Sequence, residues 1–194
     1  MSRIVFATGN EGKMREIRDI MSDMEMEVVS MKEALISVEV EENGTTFEEN
    51  AVIKAQAIAA VTDDIVLADD SGLCVEALNG EPGIHSARYA ETPQARIDKL
   101  LNNLTDVANR KAKFVCAMTL VDEFGNILDK EIGECYGEIA TVQSGTNGFG
   151  YDPVFIVDGY GVTMADMSED LKNTISHRAN ALSKIISFIK SELI

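Results

Sequence analysis

Apolar and polar positions along the chain switch between a period of two and a period near 3.6, and these switches predict the elements. Arg3-Ile-Val-Phe-Ala-Thr8 reads as a short buried strand. It leads through Gly9-Asn10-Glu11-Gly12-Lys13 into a stretch with Met14, Ile17 and Met21 at helical spacing. A second strand is expected over Glu27–Met31, and the acidic segment Glu39–Gly44 is expected to be a loop. Thr46 with Glu49 three residues later is a capping-box pattern, opening a helix through Phe47, Ala51, Lys54 and Ile58. Ile65–Ala68 predicts a third strand that ends at Asp69-Asp70-Ser71-Gly72. Thr92-Pro93 supplies an N-cap and a proline at the first helical position, before Ile97, Leu100, Leu101 and Leu104. Two long strand-like runs, Lys113–Asp122 and Ile127–Thr141, flank a hairpin signal at Gly125-Asn126. Pro153–Val157 predicts another strand, and a C-terminal helix repeats apolar residues at Ile175, Leu182, Ile185, Ile186 and Ile189. Strands alternating with helices, plus a long central hairpin, predict a mixed α/β chain.

Composition narrows the function. A chain of 194 residues accommodates one or at most two domains and buries a proper core without disulfides. Its 33 acidic and 17 basic residues give a net charge of −16 with no basic block, which argues against nucleic acid or an anionic membrane as partner. A small phosphorylated ligand stays compatible, because a few clustered lysines or a divalent cation override the global field locally. No apolar run reaches the roughly 20 residues of a membrane span, and the N-terminal stretch lacks the apolar core of a signal peptide. A cytoplasmic protein is expected. Cys74, Cys116 and Cys135 lie far apart without a CxxC and in apolar contexts, so they are expected to be buried, inert thiols.

Four clusters are candidates for chemistry. The Thr8–Lys13 loop enters a helix N-terminus, where backbone N–H groups, the helix dipole and Lys13 suit an anion; its spacing is neither a Walker A loop nor GxGxxG. Asp69 and Asp70, at the expected end of a strand, suit a divalent cation or a base on water, although Asp-Asp-Ser-Gly is also turn chemistry. Gly145–Pro153 sets Phe149 and Tyr151 among three glycines beside Asp152, with aromatic faces suited to a nucleobase. Lys172, His177 and Arg178 fall within seven positions in a chain with two histidines, and the last two form a possible donor pair for a carbonyl.

Taken together, TGNEGK at Thr8–Lys13, TTFEENA at Thr45–Ala51, ADDSG at Ala68–Gly72, EALNGEPGIHSARY at Glu76–Tyr89, GFGYDPVF at Gly148–Phe155 and K-x-x-x-SHR at Lys172–Arg178 resemble the inosine/xanthosine triphosphate pyrophosphatases, in their bacterial form. These are house-cleaning enzymes for noncanonical purine nucleotides, and the similarity spans essentially the whole chain. The resemblance implies one domain over 1–194, an elongated two-lobed α/β fold with its active site in a central cleft, and a homodimer. It implies Mg²⁺-dependent hydrolysis of ITP, dITP and XTP to the monophosphate and pyrophosphate. By motif, Thr8, Gly9, Asn10, Glu11, Gly12 and Lys13 would cradle the phosphates together with Lys54, and Ser71 would touch substrate. Glu41 and Asp70 match metal ligands, and Asp70 also matches the proton acceptor, with Asp69 assisting. Phe149, Gly150, Tyr151, Asp152, Lys172, His177 and Arg178 match base-binding positions. His85 departs from the pattern, which usually has tyrosine there; a tolerated substitution is expected. The alternatives are a nucleotide pyrophosphatase of different base choice, or a nucleotide-binding protein without catalysis.

Overall fold

The computed structural model describes residues 3–194; Met1 and Ser2, the first two positions of the expected domain, lie outside the described residues. The fold is mixed α/β, as expected. Six strands, β1 (Arg3–Phe6), β2 (Glu27–Ser30), β3 (Ile65–Val75), β4 (Lys111–Val121), β5 (Ile127–Ile139) and β6 (Phe155–Val157), form one sheet in the order β2-β1-β3-β4-β5-β6. β1 runs parallel to both neighbours, with Ile4 opposite Val28 and Ile65, while β5 and β6 are antiparallel, with Ile139 opposite Phe155. The helices are α1 (Glu11–Ile20), α2 (Phe47–Ala59), α3 (Pro93–Asn103), α4 (Glu169–Ile175) and α5 (His177–Glu192).

The chain divides into two compact units. The first comprises the chain up to Asp70, Cys116–Gly133 and Arg178–Ile194; the second comprises Ser71–Val115 and Glu134–His177. In the first, Ile4, Phe6 and Leu67 of the strands meet Met14 and Ile17 of α1 and Leu182 and Ile185 of α5. A second apolar cluster joins Val5, Val66 and Val121 to Ala55 and Ile58 of α2. In the other unit, Leu73, Phe114, Ile139 and Phe155 pack with Ile97 and Leu100 of α3.

Several expectations shift. β3 does not end at Ala68: it continues through Asp69 and Asp70, because Leu73 and Val75 are fully buried and extend the apolar strand pattern beyond them. The turn reading of Asp-Asp-Ser-Gly is therefore wrong. The single C-terminal helix is two, since Ser176 is extended (φ −67°, ψ 159°) and separates Ile175 from the apolar stripe of α5. Thr46 caps α2 as expected, accepting from the Glu49 N–H, and the Glu49 carboxylate accepts mainly from the N–H and hydroxyl of Thr45, with a smaller contribution from the Thr46 N–H. The hairpin closes on a longer loop: Asp122 N–H bonds the Asn126 carbonyl, and Gly125 takes φ +79°. Cys116 and Cys135 are buried free thiols, whereas Cys74 is only partly covered.

Candidate active site

In the first unit, α1 starts where it does because Asn10 caps it: the side-chain oxygen accepts from the N–H groups of Gly12 at 2.9 Å and Lys13 at 3.1 Å. Thr8 Oγ1 in turn accepts from the Asn10 N–H at 3.1 Å. Two of the first-turn amides expected to face an anion thus have a partner already, while those of Gly9 and Glu11 have no acceptor among the described residues. A Cβ on Gly9 would meet nothing within 4 Å, so packing does not demand glycine there. Both Gly9 and Glu11 are exposed.

Lys13 reaches from the first turn of α1 to both carboxylate oxygens of Asp69, at 3.1 and 2.9 Å. One helical turn on, Glu16 holds Arg178 through NH1, and Arg178 NH2 lies 3.5 Å from Asp69 Oδ2. Cys116 Sγ lies 3.8 Å from the same oxygen. The result is a buried chain of alternating charge, Glu16–Arg178–Asp69–Lys13, in which Arg178 is 2% and Asp69 0% exposed. Burial alone would raise the Asp69 pKa, but Lys13, Arg178 and Lys54 outweigh it and hold the carboxyl well below the usual range. Burial likewise opposes the Arg178 charge, and Glu16 and Asp69 reverse that, keeping it above its ordinary value.

Asp70 projects from the opposite face of β3, because successive strand residues alternate. It is 7% exposed, and Asn50 of α2 donates to its Oδ2 at 3.1 Å. Burial pushes its carboxyl up to about 6, against the hydrogen bond from Asn50 and the charges of Lys54 and Lys13, with Glu42 adding to the rise. Lys54, one helical turn after Asn50, donates to the Asp69 carbonyl at 2.9 Å and pairs with Glu42 at 3.1 Å. Glu41 is exposed and has no hydrogen bond or ion pair among the described residues.

In the second unit, Lys172 Nζ lies 2.6 Å from Asp152 Oδ2 and 4.6 Å above the Phe149 ring. The Phe149 N–H also donates to Asp152 Oδ2, at 2.9 Å. Gly148 is required here: its φ is +71°, and a Cβ would stand 2.1 Å from Asp152 Oδ2. Gly150, at φ +60°, turns the chain between the two aromatics. Tyr151 is only 6% exposed and belongs to the core of this unit, with its hydroxyl donating to the Ser86 carbonyl at 2.8 Å. His177 opens α5, is 5% exposed, and stacks on Phe114. Ser71, half-buried, follows Asp70 directly in the chain, as Arg178 follows His177. His85 is exposed on a 3-10 turn, Gly83–Arg88.

The residues expected from sequence thus fall into two groups. Thr8–Lys13, Lys54, Asp70, Glu41 and Arg178 belong to the first unit, and Ser71, Phe149–Asp152, Lys172 and His177 to the second. Two functional candidates were missed: Glu16, which anchors Arg178, and Asn50, which holds Asp70. The available signals were spacing: Glu16 lies three residues after Lys13, and Asn50 four before Lys54, so each pair shares a helix face.

Fold and side chains define a mixed α/β protein in which lysines and arginine gather on one of two adjacent strand carboxylates, while burial raises the pKa of the other to about 6. The chain belongs to the Ham1 family, whose model matches residues 4–188. It is 48% identical to a dITP/XTP pyrophosphatase of Clostridium tetani, over 98% of each chain, and 47% identical to one of Bacillus anthracis, over 95% of each. Among solved structures, the Ham1 protein of Staphylococcus aureus matches with a TM-score of 0.87 at 43% identity, over 98% of this chain and 100% of that one. A HAM1 protein from Coxiella burnetii matches with a TM-score of 0.89 at 39% identity, with the same coverage.

Proposed function

We propose that this chain is a hydrolase that converts noncanonical purine nucleoside triphosphates (ITP, dITP and XTP) to the monophosphate and pyrophosphate. The observation that carries the reading is the pair Asp69–Asp70: one carboxylate is locked as an anion by Lys13 and Arg178, and its neighbour is buried and raised to about 6. A carboxylate with a pKa near the working pH is suited to take a proton from water. The names of the relatives support the substrate class.

In this reading the Gly9 and Glu11 amides, Lys13 and Lys54 receive the triphosphate, with the helix dipole of α1 adding a favourable field. Asp70 accepts a proton as a water oxygen bonds to the α-phosphorus. The bond from that phosphorus to the bridging oxygen breaks, and pyrophosphate leaves with the bond's electron pair. The donor set suits Mg²⁺, which binds through one or two carboxylates plus substrate phosphates: Asp70 offers carboxylate oxygens on a strand, and Asn50 holds one of them. Asp70 and Glu41 would hold it, since Glu42 is committed to Lys54; bound there, it would neutralise phosphate charge. Phe149 offers a ring for the base, Asp152 and Lys172 offer an acceptor and a donor, and Ser71 contacts substrate. Gly150 and Tyr151 shape that loop. His177 and Arg178 select a 6-oxo purine, because adenine's amino group would face a donor. Residues 1–194 then act as one catalytic domain, in a cytoplasmic homodimer. No helix among the described residues is long and apolar enough to cross a membrane.

The test is pyrophosphate release from ITP, dITP, XTP, ATP, GTP and dTTP, with Mg²⁺ and with EDTA. Magnesium-dependent release confined largely to the inosine and xanthosine nucleotides is expected. Release from all six would refute the base selection, and release from none would refute the enzyme.

A further inference from the structure

We infer that Phe114 is a positioning residue for base choice: its ring sets the plane of the His177 imidazole. The inference rests on the proposed reading that His177 meets the purine. Phe114 comes from β4 and is 6% exposed. Its ring lies 4.7 Å from that of His177 with only 14° between the planes, a face-to-face stack. On its other contact, Phe114 packs against Phe155 at 4.5 Å with the rings tilted by 52°. Phe155 is itself fully buried at the start of β6, so Phe114 is wedged by a group that cannot swing away.

The backbone does not fix the imidazole by itself. His177 is the first residue of α5, after an extended Ser176, and the terminal torsion of histidine is broad and roughly two-fold. An imidazole donates its N–H in the plane of the ring, so rotation about that torsion swings the donor out of line with a fixed acceptor. A flat aromatic surface parallel to the ring removes that freedom and leaves in-plane donation intact. A donor aimed at one atom discriminates strongly between a carbonyl and an amino group, whereas a loosely held one does not. Phe114 lies outside all six sequence motifs and packs in the apolar core of its unit, so sequence places it only among core residues.

The test uses Phe114→Leu and Phe114→Met, which keep apolar volume but lose the flat face, and Phe114→Tyr, which keeps the face. Expected for the first two is a drop in kcat/KM for ITP of up to about tenfold, the size of one aromatic pair, with the value for ATP unchanged. Phe114→Tyr should restore most of the ITP/ATP ratio. A merely structural role would lower Tm and reduce ITP and ATP turnover alike; an unchanged ratio in the Leu and Met variants overturns the inference. A signature independent of any variant's folding comes from NMR of the wild-type protein. The chain has two histidines, so the exposed His85 serves as internal reference. Ring protons of His177 should resonate upfield of those of His85, and two sets at the same ordinary position would overturn the stack itself. His177→Gln separates the two ideas. If it leaves the ITP/ATP ratio unchanged, the base-reading role of His177 fails; if it changes the ratio while loss of the Phe114 ring does not, only the positioning role fails.

Discussion

Replacing Asp70 by asparagine should stabilise the protein and stop its chemistry, for one and the same reason. Asparagine keeps the shape, and its side-chain oxygen still accepts from Asn50, so the perturbation is the loss of one charge. That charge is unfavourable in the fold: burial raises the carboxyl from 3.8 to about 6. A rise of roughly two pKa units corresponds to about 3 kcal/mol, and the 7% exposure leaves little solvent screening to discount it. Because the folded state binds the proton more tightly than the unfolded chain, the penalty is absent below the unfolded pKa near 3.8 and complete above about 6. At pH 8 without metal, Asp70→Asn should therefore exceed the wild type by up to about 3 kcal/mol, or about 6–12 °C in Tm. Near pH 4 the two should converge. Urea unfolding at both pH values in EDTA reads the difference directly. Adding Mg²⁺ should stabilise the wild type and not the variant, narrowing the gap at pH 8. In the same wild-type protein kcat/KM should rise through pH about 6, as Asp70 loses its proton, and the variant should lose about 10²–10⁴ in kcat. A variant no more stable than wild type at pH 8 would show that the carboxylate is not desolvated. Retention of more than about a tenth of kcat would place the base elsewhere.

Other perturbations probe the remaining groups. Arg178→Ala strands Glu16 and Asp69 without their shared cation and should destabilise by about 3–5 kcal/mol; a double-mutant cycle with Glu16→Gln, read by urea unfolding, should be strongly non-additive, and additivity would break the proposed charge chain. Lys13→Ala should raise KM for every triphosphate without altering the ITP/ATP ratio, and a changed ratio would remove Lys13 from phosphate binding. Gly9→Ala should leave Tm unchanged, since a Cβ there meets nothing within 4 Å, yet raise KM for ITP by crowding the exposed amide; unchanged kinetics would show that no phosphate approaches Gly9.

How much was legible in the sequence depended on whether a signal was local. Caps at Thr46 and Thr92 and the stripes of α1 and α3 are local, and β1, β2, α1, α2 and α3 fall close to where periodicity puts them, whereas the Asn10 and Ser168 caps and the short α4 were not read. The misplaced end of β3 was a failure of composition: two aspartates, a serine and a glycine look like a turn until tertiary cations and Asn50 allow them to stay in a buried strand. Ser176 broke the last helix for a reason the stripe could not reveal, because Ile175 and Leu182 satisfy helical spacing although they sit on different helices. Glu16 illustrates the larger limit. Nothing in α1 alone tells that a glutamate beside Met14 and Ile17 faces a guanidinium from a residue 162 positions away.

The chemistry follows from that same non-local arrangement. Adjacent carboxylates on a strand point to opposite faces, so they need not share an environment. Asp69 faces the side where α1 delivers Lys13 and where Arg178, braced by Glu16, closes the charge chain. Asp70 faces the side where α2 delivers a neutral amide, Asn50, and where the nearest ammonium, Lys54, is already engaged by Glu42 and the Asp69 carbonyl. A cation bonded to one carboxylate and withheld from the other drives their pKa values apart, and neither burial nor sequence adjacency alone does so. The separation leaves one fixed anion to orient the lysine and arginine, and one carboxyl that can change its protonation at physiological pH. A cation in place of Asn50 would add to the lowering that the Asn50 hydrogen bond already exerts on Asp70, against the rise from burial, and narrow the difference.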